Sequence, residues 1–333
     1  TDMKAIGYSV FGTASDVLKS IDMPMPTPAS GQVLVRLMRS GVNPSDVKAR
    51  AGTRPGITKP AFETVIPHSD GSGIIEAVGD GIDPHRVGER VWIWNGQWQR
   101  AYGTAADYIA LDSEQAVTMP DEMSFDAGAT LGIPGLTAAH CVFGGGEIAG
   151  QTLLISGGAG AVAHNAVQLA KWGGAKIIAT AAPEGFDRVR AAGADAVFDY
   201  ASPDLATQIN EATQGNGVDR AVEVEFGRNA DLLGRVVKTN GTIAAYGSAL
   251  DMSPRFSFGA YLFRAITLDI VLIYCLPWEQ RKLAIAHLHQ AFMDGALKPD
   301  IHARFALSDC GAAHAAVEAG KRSGAVLLQI DTN

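Results

Sequence analysis

The sequence predicts an α/β fold: a doubly wound parallel sheet, preceded by a β-rich domain. Three observations carry that prediction. Residues 152–180 read as strand, glycine turn, helix and strand. From about Ser124 onward, apolar strand-like runs alternate with helix-like segments, which is the pattern of a parallel sheet. The 333 residues also exceed the length at which single cores usually divide, so two domains are expected.

Taken in order, 32–38 mixes Val and Leu in strand style, and 72–78 and 90–93 are further β-type runs. Gly-Asp-Gly at 79–81 and Val-Gly-Glu at 87–89 punctuate them as turns. Pro24, Pro26 and Pro28 mark an extended linker. Segments 125–131 and 136–143 read as helices. After the βαβ unit come a strand near 196–198, a helix near 205–213, a strand at 220–224, a helix near 230–237 and a strand at 242–246. An apolar stretch at 266–273 suits an edge strand. A long helix at 278–294 and a strand at 325–330 are expected to rejoin the first domain. The expected divisions are therefore 1–123, 124–268 and 269–333.

The turn of the βαβ unit holds Gly157, Gly158, Ala159 and Gly160. Glycines there let the backbone approach a pyrophosphate, and the helix that follows offers free N–H groups and the positive end of its dipole. Ala163 takes the third place of the glycine spacing, where alanine still permits close helix–strand packing. Ala161 stands where one more glycine would ease the approach. The same glycines would also serve a structural turn in a sheet that binds no nucleotide.

Bulk properties narrow the field. The chain is 47% hydrophobic and 19% charged, which is ordinary for a globular protein. A net charge of −8 without any Lys/Arg-rich run argues against nucleic acid or an anionic membrane as partner. Cys141, Cys275 and Cys310 are widely spaced and form no C-x-x-C pair, so a reducing cytoplasm is expected rather than a disulfide frame. No basic segment followed by an apolar run marks a secretion signal. The longest apolar run, near 265–276, is broken by Asp269 and too short to span a bilayer.

Several motifs, in order, carry a family resemblance: GVNPSDVKARAG (41–52), PHSDGSGIIEAVGDGI (67–82), YGTAADYIALD (102–112), GATLGIPGLTAAHCV (128–142), GGAGAVAHNAVQLAK (157–171) and AAYGS (244–248). Over nearly its whole length the chain resembles the medium-chain dehydrogenase/reductases, and among them the zinc-free quinone oxidoreductases of ζ-crystallin type. The resemblance implies a GroES-like β-barrel catalytic domain, split in sequence around a Rossmann domain. It also implies cofactor contacts at Thr137, at the loop Gly157, Gly158, Ala159, Gly160, Ala161 and Val162, and at Tyr246, Gly247 and Ser248. Val271, Leu272 and Ile273 would lie against the nicotinamide, or form a core or subunit-interface strand.

Zinc-dependent relatives need a Cys, a His and a second Cys or Asp around an open tetrahedral site. The matching positions here are Asn43, Ser69 and Gly132, and the cysteine-rich lobe that carries structural zinc is missing. His68 beside Asp70 makes no coordination shell, and a hydrogen-bonded loop histidine is the plainer reading. No metal is expected.

An NAD-selective site carries Asp or Glu at the end of the second strand. Here that position reads Thr180-Ala181-Ala182, which leaves nothing to repel a 2′-phosphate, so NADPH is the expected cofactor. The Ser and Lys that grip the phosphate in the family correspond to Ala181 and Gly185. Arg188, Arg190 and Tyr200 are the candidate replacements, with both arginines on a solvated helix face as the alternative.

On the substrate side, an acceptor met without a Lewis acid should itself be electrophilic: a quinone or an activated enone. Asn43 would hydrogen-bond the substrate or the nicotinamide ribose. Lys48 stands where many relatives have tyrosine; it either stabilises a developing oxyanion or points to water. Trp92, Trp94, Trp98 and Tyr102 concentrate aromatic area. Trp92 and Trp94 read as one strand face packed inward, and Trp98 as the ring that would stack on a planar acceptor.

The leading expectation is an NADPH-dependent quinone reductase. Reduction of α,β-unsaturated carbonyls uses the same chemistry, and a non-catalytic NADPH-binding, crystallin-like or RNA-binding role is the alternative from another class. The family's edge-to-edge pairing of Rossmann sheets implies a homodimer.

Overall fold

The computed structural model describes residues 1–330. They form two compact units: Thr1–Ile133 with the chain from Pro299 on, and Pro134–Lys298. The first unit opens with β1 (Asp2–Gly7), β2 (Lys19–Pro24), β3 (Gln32–Val42), β4 (Asp70–Val78), β5 (Arg90–Ile93), β6 (Tyr108–Asp112) and β7 (Ala116–Thr118). The second unit holds β8 (Thr152–Ile155), β9 (Lys176–Ala181), β10 (Ala196–Asp199), β11 (Val218–Glu223), β12 (Val237–Ala245) and β13 (Thr267–Ile270). The chain then returns to the first unit with β14 (Ile301–Ala306) and β15 (Ala325–Gln329).

In the first unit β1 and β2 form an antiparallel pair, and the larger sheet runs β14-β15-β3-β4-β5-β7, with β6 also on β3. Alternate residues of β3 (Val33, Val35 and Leu37) meet Ile75, Val91, Ile93, Ile109 and Leu111 in one buried cluster. Successive side chains of a strand point to opposite faces, so this alternation closes one face of the sheet over a core. Pro24 is the last residue of β2, not part of a linker. A proline is tolerated at a strand end because no ladder N–H is needed beyond it.

The second unit is a parallel sheet ordered β10-β9-β8-β11-β12-β13. The winding reverses between β8 and β11, and ligands of such sheets bind outside the carboxyl ends of the strands at that switch point. The units divide at 133/134 and 298/299, whereas the sequence suggested 123/124 and 268/269. The Trp278–Met293 helix accordingly belongs to the second unit, against the expectation that it rejoins the first. It buries Ala284, Leu288 and Ala291. It also packs on the Leu136–Phe143 helix, where His287 stacks on Phe143 with centroids 4.3 Å apart. The predicted helix at 125–131 stops at Gly128, and a π-helical turn with Pro134 inside follows over Leu131–Gly135. Proline lacks the N–H that a regular helix needs there. Among the described residues no helix is long and apolar enough to cross a membrane.

Candidate cofactor and substrate sites

Because every strand of the second unit runs the same way, their carboxyl ends share one edge. The cofactor residues expected from the sequence follow those ends one by one. Gly157 to Val162 follow β8, Thr180 is the last residue but one of β9, Tyr200 follows β10, Tyr246 to Ser248 follow β12, and Val271 to Ile273 follow β13. Thr137 stands apart on the Leu136–Phe143 helix, buried to 4% exposure.

The glycine turn is held from β9. Thr180 Oγ1 accepts the Gly157 N–H at 3.2 Å and the Thr180 carbonyl accepts the Gly158 N–H at 2.8 Å. Gly157 has φ +63, a left-handed conformation that a side chain strains. A Cβ on Gly158 would press on Val189 at 3.0 Å. The Ala161–Trp172 helix then starts after Gly160, which has no side chain to cap it, so its first N–H groups lack a capping side chain from that residue, an arrangement that suits an anion. Thr180 is itself 3% exposed: it shapes the turn and leaves ligand contact to the backbone. Arg188 Nε donates to the Ala159 carbonyl at 3.3 Å and so lies against the same turn. Arg190 instead pairs with Asp187 and covers the Phe186 ring.

Two further residues escaped sequence reasoning. Glu223, 1% exposed at the end of β11, accepts from Ser156 Oγ (2.7 Å), the Glu225 N–H (2.6 Å) and Asn229 Nδ2 (3.0 Å). It ties the ends of β8 and β11 together, and burial pushes its carboxyl above the usual range. Arg228 lays its guanidinium over the Tyr200 ring, 4.8 Å from the centroid. Ser248 spends its hydroxyl within the loop, accepting the Gly227 N–H at 2.8 Å and donating to the Asp251 carbonyl. Val271 to Ile273 form no part of the edge strand, which stops at Ile270. Val271 N–H bonds the Ala245 carbonyl, and Ile273 opens a short 3-10 turn whose carbonyls accept from the buried Arg281. The turn residues stand where the sequence suggested a longer strand because β12, the strand that β13 pairs with, itself ends at Ala245.

In the first unit, Asn43 caps the Pro44–Ala51 helix. Its backbone N–H donates to Asp46 Oδ2 and its side-chain Nδ2 to Asp70 Oδ2, both at 2.8 Å. All three residues are buried. Burial raises the Asp46 carboxyl to about 7 and the Asp70 carboxyl well above the usual range, so Asn43 is hydrogen-bonded to two acids that resist ionisation. Lys48 lies on the exposed face of the same helix. Gly132 faces Asp70 so closely that a Cβ there would overlap Asp70 Oδ1. No side-chain ligand fits at that position, and the positions Asn43, Ser69 and Gly132 do not make a zinc site.

His68, Cys310 and His314 cluster within 4.8 Å and are all buried. Their hydrogen bonds decide what they are. Arg50 Nη1, a pure donor, lies 3.1 Å from His314 Nδ1 and makes that nitrogen an acceptor. The proton of His314 is then on Nε2 and points to His68 Nε2 at 2.8 Å. His68 in turn carries its proton on Nδ1 and gives it to Ser40 Oγ at 2.9 Å. Ser40 meets Thr104 Oγ1 at 2.7 Å, and Thr104 donates to the Asp70 carbonyl at 2.6 Å. A metal on His314 Nε2 would put a ring N–H against the guanidinium, so this donor set does not suit a cation. Burial lowers the His314 pKa to about 4 and holds His68 well below the usual value, with His314 adding to the effect. The chain pins the segment from His68, held at φ +80, to Asp70.

Trp98 lines a pocket of about 540 Å³ with Trp94, Tyr102, Arg100, Asp112 and Glu114. Neither Asn43 nor Lys48 is among its lining residues, so the first unit does not gather the three expected substrate residues in one pocket. Trp92 is fully buried, whereas Trp94 is half-buried at the pocket wall.

Residues 29–121 match the alcohol dehydrogenase GroES-like domain, and 161–289 the zinc-binding dehydrogenase domain. The rat quinone oxidoreductase is 28% identical, covering 98% of both chains. A mycobacterial quinone oxidoreductase has a TM-score of 0.86 at 27% identity, covering 98% of this chain and 99% of that one. A mycobacterial structure complexed with NADPH has a TM-score of 0.84 at 26% identity, with the same coverage. The chain belongs to the medium-chain dehydrogenase/reductases, in their quinone oxidoreductase family.

Proposed function

We propose that this oxidoreductase takes hydride from NADPH and delivers it to a quinone without a metal. One observation carries the reading: at Gly132, a position matching a zinc ligand of relatives, Asp70 leaves no room for any side chain. With no Lewis acid to polarise it, the acceptor must itself be electrophilic, as a quinone is. The relatives named as quinone oxidoreductases support the substrate class, and the mycobacterial NADPH complex supports the cofactor.

The residues at the sheet edge fit that cofactor. The glycine turn and uncapped helix start suit a pyrophosphate, and β9 ends without a carboxylate that would repel a 2′-phosphate. NADPH supplies the hydride when bound. The chain's part is to hold the nicotinamide and acceptor at about 3–3.5 Å in a dry site. For this we assign Val271 to Ile273 to the nicotinamide and the Asn43 carboxamide to the substrate or ribose. The exposed apolar edge at β13 supports a homodimer.

The test is NADPH oxidation by the purified protein with a 1,4-quinone in the presence of a chelator, with NADH and an aliphatic enone as parallel arms. Chelator-insensitive quinone turnover that prefers NADPH is expected. Turnover with the enone alone would move the function to double-bond reduction. NADPH binding without any turnover would replace catalysis with a binding role.

A further inference from the structure

We propose that Arg228, reaching over Tyr200, is the residue that grips the 2′-phosphate of NADPH and sets the preference over NADH. This inference rests on the cofactor reading above.

Topology gives the first argument. Arg228 follows β11 and Tyr200 follows β10, and the sheet places β8 and β9 between those two strands. Neighbouring strands are about 4.8 Å apart, so three spacings separate the two ends by roughly 14 Å. The guanidinium nevertheless sits 4.8 Å from the Tyr200 ring centroid. The pair therefore arches across the carboxyl ends of β8 and β9. Beneath it lie the glycine turn and Thr180, Ala181 and Ala182, the stretch where an NAD-selective site would carry its acid.

Charge gives the second. Among the described residues Arg228 has no carboxylate partner. The acids on the same loops are engaged elsewhere: Asp199 accepts the Ala201 N–H at 2.9 Å, Glu225 accepts the Leu250 N–H at 2.9 Å, and Asp187 pairs with Arg190. An exposed guanidinium stacked on a half-exposed ring (Tyr200 is 44% exposed) is held in place while keeping its outer N–H groups for a ligand. A planar fork of donors matches a phosphate in two-point geometry, which a lysine at Gly185 would not have done. Tyr200 is anchored in turn, its N–H bonding the Ala181 carbonyl at 3.2 Å. Arg188 lies against the glycine turn on the neighbouring side and belongs with the pyrophosphate.

The test is titration of the cofactor-free protein with 2′,5′-ADP and 5′-AMP, and with NADPH and NADH, by calorimetry at two salt concentrations. The wild type is expected to bind 2′,5′-ADP at least tenfold more tightly than 5′-AMP, and the margin should shrink in high salt because exposed charges are screened. Arg228→Gln should weaken 2′,5′-ADP and NADPH tenfold or more and leave 5′-AMP and NADH within about twofold. Arg228→Lys should retain part of the margin. If Arg228→Gln weakens all four ligands alike, or none, the assignment to Arg228 is overturned. If the selectivity is lost in Arg188→Gln instead, the grip belongs to Arg188. A wild type that binds neither dinucleotide would overturn the cofactor reading itself, a result distinct from any of these.

Discussion

Asp46 keeps its proton to about pH 7 because burial outweighs the hydrogen bond it accepts from Asn43. The unfolded carboxyl ionises near 3.8, so the stability present below that pH is lost as pH rises through 7, on the order of 4 kcal/mol. His314 has the opposite sign. Its folded pKa of about 4 lies below the ordinary 6.5, so stability present above 6.5 is lost as pH falls toward 4, on the order of 3 kcal/mol. Between about pH 4 and 6.5 the two contributions run in opposite directions and largely cancel in the wild type, so urea titrations between pH 4 and 8 separate them through variants. Asp46→Asn, which still accepts the Asn43 N–H, removes one of the two opposed contributions and should make stability fall more steeply toward pH 4 than in the wild type. His314→Gln reproduces the donor and acceptor directions of the imidazole without titrating and should unmask a loss of stability as pH rises from 4 to 7; a pH profile unchanged from the wild type in that variant would refute the assignment. At this scale the sequence was partly legible. His68 could be read as a hydrogen-bonded loop histidine, but its partner His314 lies 246 positions away and only the fold joins them. Arg228 and Glu223 carried no motif, because their roles come from which strand ends are neighbours.

The glycine turn illustrates the scale of elements. Its glycines were readable because a tight turn between strand and helix restricts residue choice, but the bond that sets its shape comes from the next strand. Thr180→Val keeps the volume and removes the acceptor of the Gly157 N–H. The lost bond is worth about 0.5–1.5 kcal/mol, so NADPH affinity should fall about three- to tenfold with little change in melting temperature. Calorimetric titration with NADPH and thermal melting check this together; a large fall in melting temperature without loss of affinity would make Thr180 a purely structural residue. Elements with strong patterns, such as the helix at Ala161–Trp172 and strand β5, stood near where the sequence placed them. Strands β1, β2 and β14 were not anticipated. Their burial does alternate, but each is only six residues long and its inward positions include alanine or glycine or stay half-exposed, so the period is too short and weakly apolar to stand out.

For the whole molecule, division into units was legible from length and from the change of pattern near residue 124, while the boundaries themselves depended on packing. The Trp278–Met293 helix has apolar residues scattered around much of its circumference, so nothing in its sequence says which unit it joins. The oligomeric state depends on the edge of the parallel sheet. β13 ends that sheet, and a free edge offers unpaired N–H and C=O groups to a second copy. Ile270, the last residue of that edge strand, is 76% exposed and Leu272 just beyond it 53%, and Phe258 and Phe263, which precede the strand in sequence, are 70% and 86% exposed. A two-fold pairing uses the same edge of both copies, so one substitution acts twice. Ile270→Lys would place two like charges into a contact that has lost its apolar cover. Light scattering should then give a mass near 34.9 kDa, where twice that value is expected of the wild type if the proposed pairing holds. A variant that stays paired would move the interface to another surface, and a monomeric wild type would remove the dimer altogether.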